Sequence, residues 1–76
     1  MGSDYELWDA ADGNCVGAHS SEREALQAVA ELVRRYGRRS AEVRTLGLLG
    51  PEPGNQKRLI AEGDDLVDLA LRTAAA

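Results

Sequence analysis

Ser20–Gly37 reads SSEREALQAVAELVRRYG, and its reading decides the fold. Ser21-Glu22-Arg23-Glu24 has the form of a capping box, in which a hydroxyl accepts a backbone N–H and Glu24 reaches back to the cap. Glu22 and Glu24 also suit the positive end of a helix dipole, and Arg34 and Arg35 its negative end. Leu26, Val29, Val33 and Tyr36 recur at helical spacing, flanked by Ala25, Ala30 and Leu32, which is a core-facing stripe. Gly37 ends the helix by taking a left-handed backbone. The spacing therefore predicts a helix over Glu22–Tyr36.

Outward from this helix the signals change to those of strands. Upstream, Tyr5–Asp9 and Asn14–His19 flank Asp12-Gly13, a pair suited to the positive φ angles of a tight hairpin turn. A two-residue turn there puts Trp8 opposite Gly17, Leu7 opposite Ala18, Asp9 opposite Val16 and Glu6 opposite His19. Tyr5, Leu7, Val16 and Ala18 then form a core face, and Glu6, Trp8, Cys15, Gly17 and His19 an exposed one. A longer loop shifts the register and swaps the faces. Downstream, Gly37–Ala41 reads as a connector and Glu42–Leu49 as a third strand, with Leu46 and Leu48 on one face. Leu46–Leu49 is apolar on both faces, as in a central strand or a dimer seam. Gly50–Asn55 reads as a loop, because its prolines and glycines interrupt a ladder. Gln56–Glu62 reads as a fourth strand, and Gly63-Asp64-Asp65 opens a last helix running from Leu66 to about Thr73.

The expected fold is α+β, in the order β-β-α-β-β-α, with a four-stranded antiparallel sheet and two helices packed on one face. It is one domain over 1–76, with 1–4 disordered or a cloning remnant and 74–76 frayed. Both halves run hairpin then helix, but their residues do not repeat. An open sheet face and free edge strands make so small a chain a candidate homodimer.

Composition narrows the function classes. The chain has 76 residues, is 43% hydrophobic, has no Phe, one Trp and two Tyr, and carries a net charge of −4. It suffices for one small core of aliphatic side chains. The negative charge disfavours generic nucleic-acid affinity. The longest apolar runs are too short to span a membrane, and Met1–Asp4 lacks the pattern of a signal peptide. One cysteine excludes an intrachain disulfide and suits a reducing cytoplasm. Arginine dominates the cations, with Lys57 the sole lysine, which points to a GC-rich bacterial source.

Four groups of residues are candidates for chemistry. Cys15 and His19 have the types of a nucleophile pair, but four strand residues separate them by roughly 13 Å; a filler thiol and a surface histidine facing Glu6 is the simpler account. Asp64, Asp65 and Asp68 cluster at a helix start, where they serve as cap and dipole partners and lack the glycine-bent loop of a calcium site. No phosphate-cradling glycine motif occurs around Gly47, Gly50 and Gly54. Arg34, Arg35, Arg38, Arg39 and Arg44 are opposed locally only by Glu42, a patch able to meet phosphates or an acidic surface. Its ordinary account is cations at a helix C-terminus and a solvated connector. Trp8 and His19 mark an exposed sheet face.

The pattern L-W-D-x-x-x-G-N-x-V-G, S-x-x-E-A-L, R-x-x-G, L-x-L and I-A-x-G-x-x-L runs from Leu7 to Leu66. It resembles small uncharacterised single-domain proteins of GC-rich bacteria, a resemblance that implies a stand-alone domain and supplies no catalytic residues. V-G-A-x-S-S-x-x-E-A at Val16–Ala25 is similar to the sporulation-related peptidoglycan-binding domain, which lacks the leading hairpin.

The function expected from the residues is a non-enzymatic protein-interaction or regulatory module, homodimeric and cytoplasmic, with no cofactor and no metal. The alternative is nucleic-acid or anionic-partner binding through Arg34, Arg35, Arg38, Arg39 and Arg44.

Overall fold

The computed structural model describes residues 4–52 and 56–75. Strand β1 (Tyr5–Asp9) and strand β2 (Asn14–His19) precede helix α1 (Glu22–Tyr36) and the one-turn helix α2 (Ala41–Arg44). Strands β3 (Leu46–Glu52) and β4 (Gln56–Glu62) and helix α3 (Gly63–Ala75) follow. The strands form one antiparallel sheet in the order β2-β1-β3-β4. This is the expected α+β arrangement, with a third, short helix added. The expectations for residues 1–3, the loop positions 53–55 and Ala76 lie outside the described residues.

The core sits between the helices and one face of the sheet. Leu7, Leu46 and Leu48 from the central strands meet Ala25, Leu26, Val29 and Ala30 of α1 and Leu66 and Ala70 of α3. Alternation along β1 and β3 sends their other residues to the opposite face, which no helix among the described residues covers. The stripe on α1 holds through Val29 and Ala30, and Leu32 and Val33 are partly buried. Tyr36, expected on that stripe, is 48% exposed and stands outside the core cluster. The capping box is half formed: Ser21 Oγ accepts from Glu24 N at 3.1 Å, while the Glu24 carboxylate accepts from Ser20 Oγ at 2.8 Å. Gly37 has φ 91° and ψ 149°, a positive-φ backbone open to glycine but not the left-handed helical one expected.

The first hairpin differs from the two-residue turn. Its loop spans Ala10–Gly13, closed by Gly13 N donating to Asp9 O at 2.7 Å and by Ala11 N donating to Asp9 Oδ1 at 2.9 Å. The aspartate thus builds its own turn. Tyr5 pairs with His19, Glu6 with Ala18 and Leu7 with Gly17; a bulge at Val16 follows, and Trp8 then pairs with Cys15. Paired residues share a face, so Gly17 and His19 lie on the helix side and Ala18 on the open side. The face assignment of β2 is thereby corrected: the expected core residues Val16 and Ala18 are exposed.

The segment after α1 is corrected too. Ala41–Arg44 is helical and the strand begins at Leu46, because Ser40 O accepts from Val43 and Arg44 N–H groups and Thr45 Oγ1 donates back to Ala41 O. Burial of Val43 fastens this turn. At its other end β3 continues through Gly50 and Pro51 to Glu52, where a loop was expected. Pro51 is tolerated because β1 pairs with β3 only as far as Leu49, leaving β4 as the neighbour of Pro51. Helix α3 starts at Gly63 and runs two residues past Thr73.

The two ββα halves are related by an approximate two-fold axis through the Leu7–Leu48 pair. β1 and β3 are central and antiparallel, and β2 and β4 are the outer strands. The outer strands bulge at equivalent places, Val16 after the Leu7–Gly17 pair and Ile60 after the Leu48–Ala61 pair. The sequence conceals this relation because only the leucines match: Glu6 stands where the other half has Gly47, and Trp8 where it has Leu49.

Candidate functional site: the uncovered face of the sheet

The register places two rows of side chains on the uncovered face. One row is Ala18, Glu6, Leu49 and Leu59; the next is Cys15, Trp8, Gly47 and Glu62. Leu59 is 51% exposed. Glu6 accepts from Trp8 Nε1 at 2.9 Å and lies 3.9 Å from Lys57 Nζ, which also donates to the Asp4 carbonyl at 3.0 Å. These contacts tether the indole edge to Glu6 and set an ion pair beside it.

The upper half is a cleft. Trp8, Leu49 and Leu59 surround Gly47, with Arg44 and Glu62 at the rim, and the space amounts to ≈ 430 Å³. Its floor exists because β3 has no side chain at position 47. Trp8, and Arg44 at the rim, are the sequence-read residues of this site. Gly47, Leu49 and Leu59 were missed as a group, although Leu46–Leu49 already signalled a strand apolar on both faces. Leu59 was hidden by the bulge at Ile60, which places Ile60 and Ala61 together on the core side.

His19, expected beside Trp8, lies on the other face. Its ring covers Gly17, where an added Cβ would meet His19 Nε2 at 3.1 Å. It lines a groove of ≈ 460 Å³ between β2 and α1 with Val16, Ala28, Leu32 and Arg35. Cys15 is on the open side, level with Trp8, and donates weakly to Gly17 O at 3.4 Å. The bulge thus separates Cys15 and His19 to opposite faces, and they form no catalytic pair. Glu6 faces Ala18 rather than His19.

The arginines do not form one surface. Arg34 pairs with Glu31 on α1, and Arg35 turns to the groove beside β2. Arg38, Arg39 and Arg44 line a polar notch of ≈ 570 Å³ together with Asp64 and Asp68. Arg38 is bonded there to Asp68 at 2.7 Å. The folded chain therefore sets the acidic start of α3 against the basic exit of α1, a compensation hidden in sequence by the distance between the segments. Among the described residues no group of His, Cys, Asp or Glu is arranged to hold a metal ion, and no helix is long and apolar enough to cross a membrane.

No family model, no curated protein and no solved structure matches the chain.

Proposed function

We propose that the chain is a non-enzymatic protein-interaction or regulatory module that works as a homodimer, with the uncovered sheet face as its contact surface. The observation that carries this reading is the apolar cluster of Trp8, Leu49 and Leu59, from two adjacent rows, on a face that no helix among the described residues covers. A sheet of this kind gains by burying its second face against another layer. The sheet edges are poorer candidates: β2 and β4 both bulge, which interrupts the ladder a further strand has to continue. The exposed single cysteine and the arginine-rich cation set favour a reducing bacterial cytoplasm. Light scattering after size exclusion, from micromolar to millimolar chain, tests the reading. Mass rising towards twice the monomer supports it, and a constant monomer mass removes the homodimer.

The second reading, an anionic partner or nucleic acid held by Arg38, Arg39 and Arg44, is favoured by their convergence on one notch. Asp64 and Asp68 in that notch oppose it. Binding to DNA or RNA that weakens steeply with salt and on Arg39→Ala or Arg44→Ala supports this alternative; no binding at low salt disposes of it.

A further inference from the structure

Gly47 is a glycine that the isolated chain does not need. Its backbone is not at positive φ, and a methyl group there would sit 3.6 Å from Leu59 Cδ1 and 3.8 Å from Glu62 Cβ, which is ordinary contact. Gly50, three residues on, is the opposite case: a Cβ would lie 2.6 Å from Ile60 Cδ1 and 3.1 Å from Tyr5 Cε1. The fold explains Gly50 and leaves Gly47 unexplained. Glycine inside a strand weakens it and marks a bulge or a place where another group approaches closely; the bulge here lies on β4 at Ile60, beyond the Leu48–Ala61 pair, and leaves the Gly47–Glu62 pair regular. The bare position opens into the cleft beside Trp8.

We infer that the occupant of this cleft is the Trp8 indole of a second copy of the chain, packed face to face about a two-fold axis parallel to β1 and β3. This inference rests on the homodimer reading and gives it a geometry. An axis between β1 and β3 exchanges the two strands, so each residue faces its neighbour's counterpart across the interface. The Trp8–Gly47 pair then places each indole over the bare glycine of the other copy. In the next row the same axis sets Leu59 of one copy over Ala18 of the other, since Ala18, Glu6, Leu49 and Leu59 are level across the sheet. Large faces small at both places, the interdigitation that face-to-face sheets require. Glu6 comes over Leu49 of the other copy with its carboxylate turned sideways to Trp8 Nε1 and Lys57.

Size sets the strength. Four strands spaced by roughly 4.8 Å and five residues rising roughly 3.3 Å each give a face of about 19 by 17 Å. Two such faces bury an area below the ~1,200 Å² of a standard interface. The dimer is therefore weak and concentration-dependent. A small molecule is a poorer occupant, because the cleft is a shelf on a sheet and ligand sites enclose most of their ligand.

The test is a complementation experiment by sedimentation equilibrium on the full chain. Trp8→Ala removes the projecting group and Gly47→Leu fills the space that receives it. Each variant alone is expected to raise the dimer Kd at least ~10-fold, as truncating an aromatic anchor does, with an unchanged far-UV circular dichroism spectrum. An equimolar mixture of the two is expected to recover a heterodimer. One intact indole then meets one intact glycine, while the shortened side chain at position 8 of one copy leaves room for the enlarged one at position 47 of the other. Recovery of the mixture supports the inference. A wild-type dimer left intact by both variants overturns this geometry and leaves the homodimer standing, as does loss in both variants without recovery on mixing. A wild-type chain monomeric up to millimolar concentration overturns both. Should either variant lose its fold, Trp8→Leu and Gly47→Val carry the same comparison.

Discussion

Arg38 Nη2 lies 2.7 Å from Asp68 Oδ1, joining the exit of α1 to α3 across thirty residues of sequence. The pair fastens two helices that lie side by side on the sheet. It also takes one cation out of the patch that the sequence presents as five. Local sequence reads charge along the chain, whereas the surface sums it across the fold.

The first prediction concerns this pair. Both side chains are about half exposed, 50% and 53%, so water and salt screen the attraction. A double-mutant cycle with Arg38→Ala and Asp68→Ala is expected to give a coupling of about 0.5 kcal/mol at low salt. In ~1 M salt, where the Debye length falls to about 3 Å, the coupling should fade. Urea unfolding of the four chains measures both values, and a coupling above ~2 kcal/mol would contradict this account of an exposed pair.

A second prediction separates the two serines before α1. Ser21 Oγ accepts from Glu24 N and so satisfies a helix N–H that has no partner within the helix. Ser20 Oγ instead donates to the exposed Glu24 carboxylate. Ser21→Ala is expected to cost about 1 kcal/mol, lowering Tm by about 5 °C in a chain of this size. Ser20→Ala should cost about half as much or less, because water replaces its partner. Thermal unfolding followed by circular dichroism distinguishes the two, and equal losses would show that the cap lies elsewhere.

How far the sequence reached can be judged at particular residues. The limits of helix α1 were legible because its start and stop signals are local, although Tyr36 leaves the stripe and Gly37 takes another backbone than expected. The first hairpin was legible as a hairpin, yet its register was not. Asp12-Gly13 looks like a two-residue turn, but Asp9 starts the turn by accepting from Ala11 and Gly13. The bulge at Val16 then moves His19 to the helix side. Helix α2 was hidden because a single turn has no periodicity; burial of Val43 holds it. Trp8 was visible as a candidate, whereas its companions Gly47 and Leu59 come from the other hairpin and join it only through the β1–β3 and β3–β4 pairings. The central pairing of β1 with β3 follows from burying Leu7 beside Leu48, which no local signal announces.

That central pair carries the third prediction. Leu48 is fully buried and Leu7 is 2% exposed, and they lie opposite each other where the two halves meet. Leu48→Ala removes buried methyl groups from a position that neighbours on both sides hold fixed, at an expected cost of about 3 kcal/mol. A domain this small has only about 5 kcal/mol to lose. The variant should therefore keep only about 2 kcal/mol of stability, with Leu7→Ala comparable. Chemical denaturation measures it; a loss below ~1 kcal/mol would mean that the sheet closes over the gap.

The last prediction sets the two glycines of β3 against each other in the monomer. At Gly50 an added Cβ meets Ile60 Cδ1 at 2.6 Å and the Tyr5 ring at 3.1 Å, both from residues packed on the core. Gly50→Ala therefore overpacks the sheet end and is expected to cost roughly 1–2 kcal/mol. The first of these contacts ends at the outermost carbon of Ile60, so Ile60→Val removes it. In the Ile60→Val background, Gly50→Ala should cost less than half of that, a non-additivity proper to residues in contact. Gly47→Ala meets nothing closer than 3.6 Å and gives up the backbone freedom of glycine in a strand. Its expected effect is neutral to stabilising by about 0.5 kcal/mol. Urea unfolding at low micromolar chain, where association contributes little, measures each of these variants against the unsubstituted chain. A destabilising Gly47→Ala would show that the fold itself requires the glycine, and a Gly50→Ala loss untouched by Ile60→Val would assign the clash to the Tyr5 ring and to Ile60 Cγ1, at 3.3 Å, which valine keeps.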